Sequence, residues 1–203
     1  MSNIKALLLL VMMVSGMVNA LAQQPATFRI RGTVTAFDGQ ALQVKSREGH
    51  DVMIHVADNT KVNVLLPIKL GDIKQGNFVG VTALQNGPGN TLQALEVHLF
   101  PESLRGTGEG HYAWDLEPGS SMTNANVDAV VDVNDGKALV LSYKGGNQKI
   151  IVPLDVPIVT FIPADKSLLT AGAKILVIAQ KSDDGNLTAL RISVGKDGMK
   201  PPM

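Results

Sequence analysis

The side chains best suited to chemistry crowd into one short stretch of the chain. Between positions 101 and 126 stand Glu109, His111, Tyr112, the single tryptophan Trp114, Asp115 and Glu117. His111 and Asp115, joined by Glu109 or Glu117, supply the nitrogen and oxygen donors that a divalent metal takes. Tyr112 and Trp114 instead supply a stacking face for a sugar or an aromatic ligand. A third reading packs Trp114 between two domains, with His111 and Asp115 hydrogen-bonded beside it. One histidine without a second nearby is a weak metal signal, which tips the balance toward packing. A flexible spacer is rich in Gly and Ser and spends no tryptophan, so residues 101–125 are expected to form an ordered linker.

The remaining polar chemistry is sparse. His50, His55 and His98 lack spaced partners and are expected at the surface. Met53, Met122, Met199 and Met203 could pair with histidines on a soft metal, but Met53 alternates with Val52 and Ile54 as a packing residue does. The chain has no cysteine, which excludes thiol catalysis, disulfides and thiolate metal sites. It contains neither a Gly-x-Ser-x-Gly elbow nor a His-Glu-x-x-His zinc motif. The run Gly106 to Gly110 lacks the lysine of a phosphate loop. Eighteen basic and eighteen acidic residues are scattered without runs, so nothing draws in nucleic acid by long-range charge. No enzyme activity and no cofactor are expected, with a divalent metal ion as the alternative.

The elements that position these residues follow from a duplication. Asp38-Gly39 recurs as Asp135-Gly136, an offset of 97 positions. Ala41-Leu42 recurs as Ala138-Leu139, Gly49 as Gly146, Asp58 as Asp155 and Val62 as Val159. Ala94-Leu95-Glu96-Val97 answers Ala189-Leu190-Arg191-Ile192. Within each copy, runs such as Val52, Ile54 and Val56 alternate at period two and are bounded by Gly, Asn, Asp and Pro, the pattern of short strands. The expected fold is all-β, with one domain over 26–100, a second over 126–195 and a flexible tail over 196–203. Two small Greek-key barrels of the oligonucleotide/oligosaccharide-binding (OB) type are favoured over a β-sandwich.

The N-terminus reads as an address. Lys5 precedes an apolar run from Ala6 to Val14, too short to span a bilayer, and Ala20-Leu21-Ala22 sets small residues for cleavage before Gln23. Residues 1–22 are therefore expected to be a signal peptide. The product is a periplasmic or secreted protein with no integral membrane segment after cleavage. The wording Gly32-Thr33-Val34-Thr35-Ala36, Asp38-Gly39, Leu42-Gln43-Val44, Leu70-Gly71-Asp72-Ile73 and Ala94-Leu95-Glu96-Val97 resembles a family of bacterial exported domains of unknown function. That resemblance implies small OB-like barrels, often in tandem, and carries over no catalytic residue. The second copy departs from it where Ala129-Val130 aligns with Gly32-Thr33, which questions a bulge in that strand. The function expected is a non-enzymatic binding or accessory module, taking an unknown protein or small ligand through the linker. A periplasmic metal-binding protein using His111 and Asp115 is the alternative.

Overall fold

The computed structural model describes residues 27–87, 91–134 and 136–203. The expected signal peptide lies outside the described residues. Among those described, thirteen strands and a few 3-10 turns make up the regular structure. The first copy supplies β1 (Thr27–Phe37), β2 (Ala41–Ser46), β3 (Asp51–His55), β4 (Lys61–Pro67), β5 (Phe78–Gly87) and β6 (Thr91–Leu99). β7 (Gly110–Ala113) lies between the copies. The second copy supplies β8 (Ser121–Val133), β9 (Gly136–Tyr143), β10 (Gly146–Pro153), β11 (Ile158–Ala164), β12 (Lys174–Lys181) and β13 (Leu187–Gly195). The turns follow local chemistry. At the first hairpin Asp38 Oδ1 accepts from the backbone N–H groups of Gln40 and Ala41, and Gly39 takes a φ of 107° that side chains resist.

The pairing crosses between the copies. β1 pairs with β2, and β2 with β3, all from the first copy, but the other neighbour of β1 is β12 of the second. β12 pairs with β13, which touches β3 in parallel at Thr188 and His55 and so returns to the start. The second circuit repeats this order with the copies exchanged. It runs β8, β9, β10, β6, β5 and back to β8, with β10 and β6 parallel. Between the circuits β4 pairs antiparallel with β11, and each lies parallel to the last strand of the other copy. Each circuit thus takes three strands from one copy and two from the other.

This corrects the expectation that residues 26–100 and 126–195 each close a domain of their own. Alternation and turns say where strands lie, but a strand edge accepts a partner from either copy when the copies are alike. The cores follow the pairing. One joins Val34, Leu42, Val44 and Ile54 to Ile175, Val177 and Ile192. The other joins Val79, Val81 and Val97 to Leu139, Leu141 and Ile150. A third, between the circuits, gathers Leu65, Phe78, Phe100, Val159, Phe161, Leu176 and Met203.

Two further expectations change. The tail over 196–203 makes a 3-10 turn at Lys196–Gly198, and Met203 is buried against the third core while its backbone oxygen accepts from Arg31 Nε at 2.9 Å. Prolines and polar residues suggested fraying, but two methionines cover the phenylalanines. The first strand of the second copy also keeps its bulge, at Val127/Ala129 where β1 has Val34/Ala36. Gly32 lies opposite Ile175 and Ala125 opposite Val79, so the register matches Gly32 to Ala125 rather than Ala129.

Candidate functional site

The segment between the copies is an arm laid across both circuits. β7 pairs with β8, setting His111 against Thr123 and Tyr112 against Met122. A turn follows, closed by Trp114 N–H donating to Ser120 O at 2.8 Å and by the Ser120 hydroxyl donating to Glu117 O at 2.7 Å. Its tip reaches the other circuit. Arg31 donates to Asp115 Oδ1 at 2.8 Å, Arg29 donates to Oδ2 at 3.3 Å, and the Arg29 guanidinium lies 4.0 Å from the centre of the Trp114 ring. Arg47 donates to the carbonyls of Asp115 and Leu116. Burial raises the Asp115 pKa, but the hydrogen bond and charge of Arg31, then those of Arg29, outweigh it and hold the carboxyl below its ordinary value.

Strand alternation separates the expected site residues into two sets. His111 turns to the β8 side, where Nδ1 lies 2.8 Å from Thr123 Oγ1 and the ring stacks at 6.4 Å on Tyr143. Tyr112 and Trp114 come together with ring centres 6.0 Å apart. Glu109 accepts from the Lys144 N–H at 3.0 Å, Asp115 is held by two arginines, and Glu117 is exposed. Among the described residues no group of three or more His, Asp or Glu could hold a metal ion, so His111, Asp115, Glu109 and Glu117 are not gathered.

Beneath the arm lies a cavity of about 110 Å³ between the two circuits. Tyr112 and Trp114 line it together with His98 and Asn124 on one side and Arg191 and Ser193 on the other. His98 corrects the expectation of a surface residue: it is 4% exposed, edge-on to Phe100 and Phe161. Its position follows from Glu96, fully buried two residues earlier on β6. Both carboxylate oxygens lie 3.1 Å from His98 Nδ1, and Thr82 Oγ1 donates to Oε1 at 2.6 Å. A buried carboxylate needs such partners. Occupied at Nδ1, the imidazole keeps Nε2 for the cavity, close over Gly80, where an added Cβ would stand 2.0 Å from it. His50 and His55 are exposed.

The cavity wall contains polar groups left unsatisfied. Asn124, 6% exposed, directs its amide N–H groups toward the Thr107 and Gly108 carbonyls and the Tyr112 hydroxyl, while its Oδ1 has no partner. Trp114 Nε1 is likewise buried without an acceptor. The Arg191 side chain has neither hydrogen bond nor ion pair among the described residues, and burial draws its pKa below the ordinary guanidinium value against the opposing Tyr112. Burial also raises the Tyr112 phenol, opposed by Arg29 and Arg191. Asn124, Arg191, Glu96 and His98 were not singled out as site residues from sequence. One signal was present: the repeat sets Arg191 where the first copy has Glu96, each a charge flanked by apolar residues.

Residues 31–98, which run from within β1 to β6, match the family model described as Domain of unknown function (DUF5666). No curated protein and no solved structure matches the chain. No helix among the described residues is long and apolar enough to cross a membrane.

Proposed function

We propose that this chain is an exported, non-enzymatic binding module that takes a small ligand in the cavity between its two circuits, under the arm carrying Tyr112 and Trp114. The observation that carries the reading is Asn124 Oδ1, a buried acceptor without a donor in the wall of a cavity. An unsatisfied buried polar atom costs about 1–3 kcal/mol, so a ligand that satisfies it recovers that energy on binding. Each circuit is read as an OB-type barrel. Its first three strands form a meander, and its last two form a hairpin borrowed from the other copy, with the fifth strand parallel to the third. Export rests on the Ala20-Leu21-Ala22 site.

The test is a thermal-shift screen of polar small molecules, with Trp114 emission as the second readout. A ligand of this site raises Tm and changes the emission, and Asn124→Leu weakens it. The reading fails if the ligands that stabilise the protein leave Trp114 emission unchanged and bind the Asn124→Leu variant equally well. Intact mass of exported protein should correspond to a chain beginning at Gln23.

A further inference from the structure

We infer that the ligand is a small carboxylic acid carrying a second, hydrogen-bond-donating group: a short hydroxy acid or amino acid. This rests on the reading of the cavity as a binding site and names the class of ligand it takes. Two features of the wall select that class.

The first is charge. Arg191 borders the cavity with no side-chain hydrogen bond or ion pair among the described residues, whereas Arg29 and Arg31 share Asp115 and Arg47 pairs with Glu48. Arginines that form structural ion pairs are thus accounted for locally, and Arg191 alone in this region is not. A half-buried guanidinium with no anion beside it can take one up, and it matches a carboxylate through two parallel hydrogen bonds. Glu96 cannot serve, since His98 and Thr82 already engage it.

The second is an acceptor. Asn124 Oδ1 and His98 Nε2 crowd the same spot over Gly80, at 2.5 and 2.0 Å from where its Cβ would stand. With Nδ1 engaged by Glu96, Nε2 is the ring nitrogen left beside Asn124 Oδ1. A hydroxyl or ammonium on the ligand would donate to Asn124 Oδ1. The volume of about 110 Å³ is that of roughly four waters at ~30 Å³ each, a space that suits a two- to four-carbon acid. Trp114 Nε1 and Asn124 Oδ1 are closed to solvent in this arrangement, so a ligand reaches them only when the side chains around them give way. At its tip the arm is held by side chains alone: the Asp115 ion pairs to Arg29 and Arg31, the Arg47 hydrogen bonds to the Asp115 and Leu116 carbonyls, and the Arg29 guanidinium over Trp114.

The experiment titrates the full chain with glycolate, lactate, glycine and β-alanine, each beside its primary amide and beside plain acetate, following Trp114 emission. The acids are expected to shift the emission saturably, the amides to need at least 30-fold higher concentration, and acetate to bind several-fold more weakly than glycolate. Arg191→Gln is expected to weaken the acids 20-fold or more while leaving the amides unchanged. Arg191→Lys should recover part of that loss, because a lysine keeps the charge but not the paired geometry. Equal binding of acid and amide, or acids unaffected by Arg191→Gln, overturns the carboxylate class and leaves the cavity reading standing. No response to any acid at tens of millimolar also overturns it. The cavity reading itself falls only on the separate screen with Asn124→Leu.

Discussion

Cutting the chain between its two copies is expected to unfold both pieces. The first copy contributes Val34, Leu42, Val44, Ile54, Val56 and Val62 to one core, and Ile73, Val79, Val81 and Val97 to another. In both cores the facing residues come from the second copy, among them Ile175, Val177, Ile192, Leu139, Leu141 and Ile150. A fragment of residues 24–100 therefore keeps these ten large side chains and loses the layer that covers them. Full burial of such a side chain is worth about 1.5–3 kcal/mol. If the fragment forfeits only about 1 kcal/mol at each, the loss is about 10 kcal/mol, which matches the ~5–15 kcal/mol that holds a whole domain together. It also loses the ladders β1–β12, β4–β11 and β5–β8. Fragments 24–100 and 101–203, prepared separately, should each give a disordered circular dichroism spectrum or a strand-exchanged self-dimer. Mixed in equal amounts they should give the spectrum of the intact chain and one 1:1 species by light scattering. A monomeric 24–100 fragment that melts cooperatively at micromolar concentration would refute the shared-core reasoning.

Two further outcomes test the arm and the cavity. Asp115 has a depressed folded pKa, so its contribution is present above the unfolded carboxylate value of about 3.9 and is lost as pH falls through the folded value. Trp114 emission should stay constant from neutral pH to about 4 and red-shift below that, as the tip leaves Arg29 and Arg31; Asp115→Asn should show the acid-like emission already at pH 7, and an unchanged emission in that variant counts against the pinned arm. Gly80→Ala drives a methyl into His98 and Asn124, and overpacking of this kind costs about 1–3 kcal/mol, a Tm drop of roughly 2–12 °C for a chain this size. A Gly80→Ala protein that melts like the parent would mean His98 is not held over that glycine.

Much of the molecule was legible as sequence. Period-two runs and the Gly and Asp turns locate nearly every strand, because alternation is a local property of a half-buried sheet and a positive-φ turn needs its glycine at one position. β3 and the residue after it are an example: Ile54 and Val56 are buried while Met53 and His55 are exposed. The association of Tyr112 with Trp114 was also readable, as two aromatics two residues apart in one short ordered segment.

Partner choice was not legible. The two copies present nearly the same edges, so the pattern that defines β1 and β12 does not say whether β1 pairs with β5 of its own copy or with β12 of the other. Connection geometry and the packing of β4 against β11 between the circuits decide that. The polar wall of the cavity is hidden for the same reason. His98 reads as a surface residue on an exposed last strand, and becomes buried only because the outer face of one circuit is covered by the other. Glu96 then has to be satisfied by Thr82 and His98, Asn124 is left with an open acceptor, and Arg191 is left without an anion. Local periodicity determined the strands and turns of this protein; the crossing of its two copies, a long-range event, decided which of its charges are buried and where a ligand can sit.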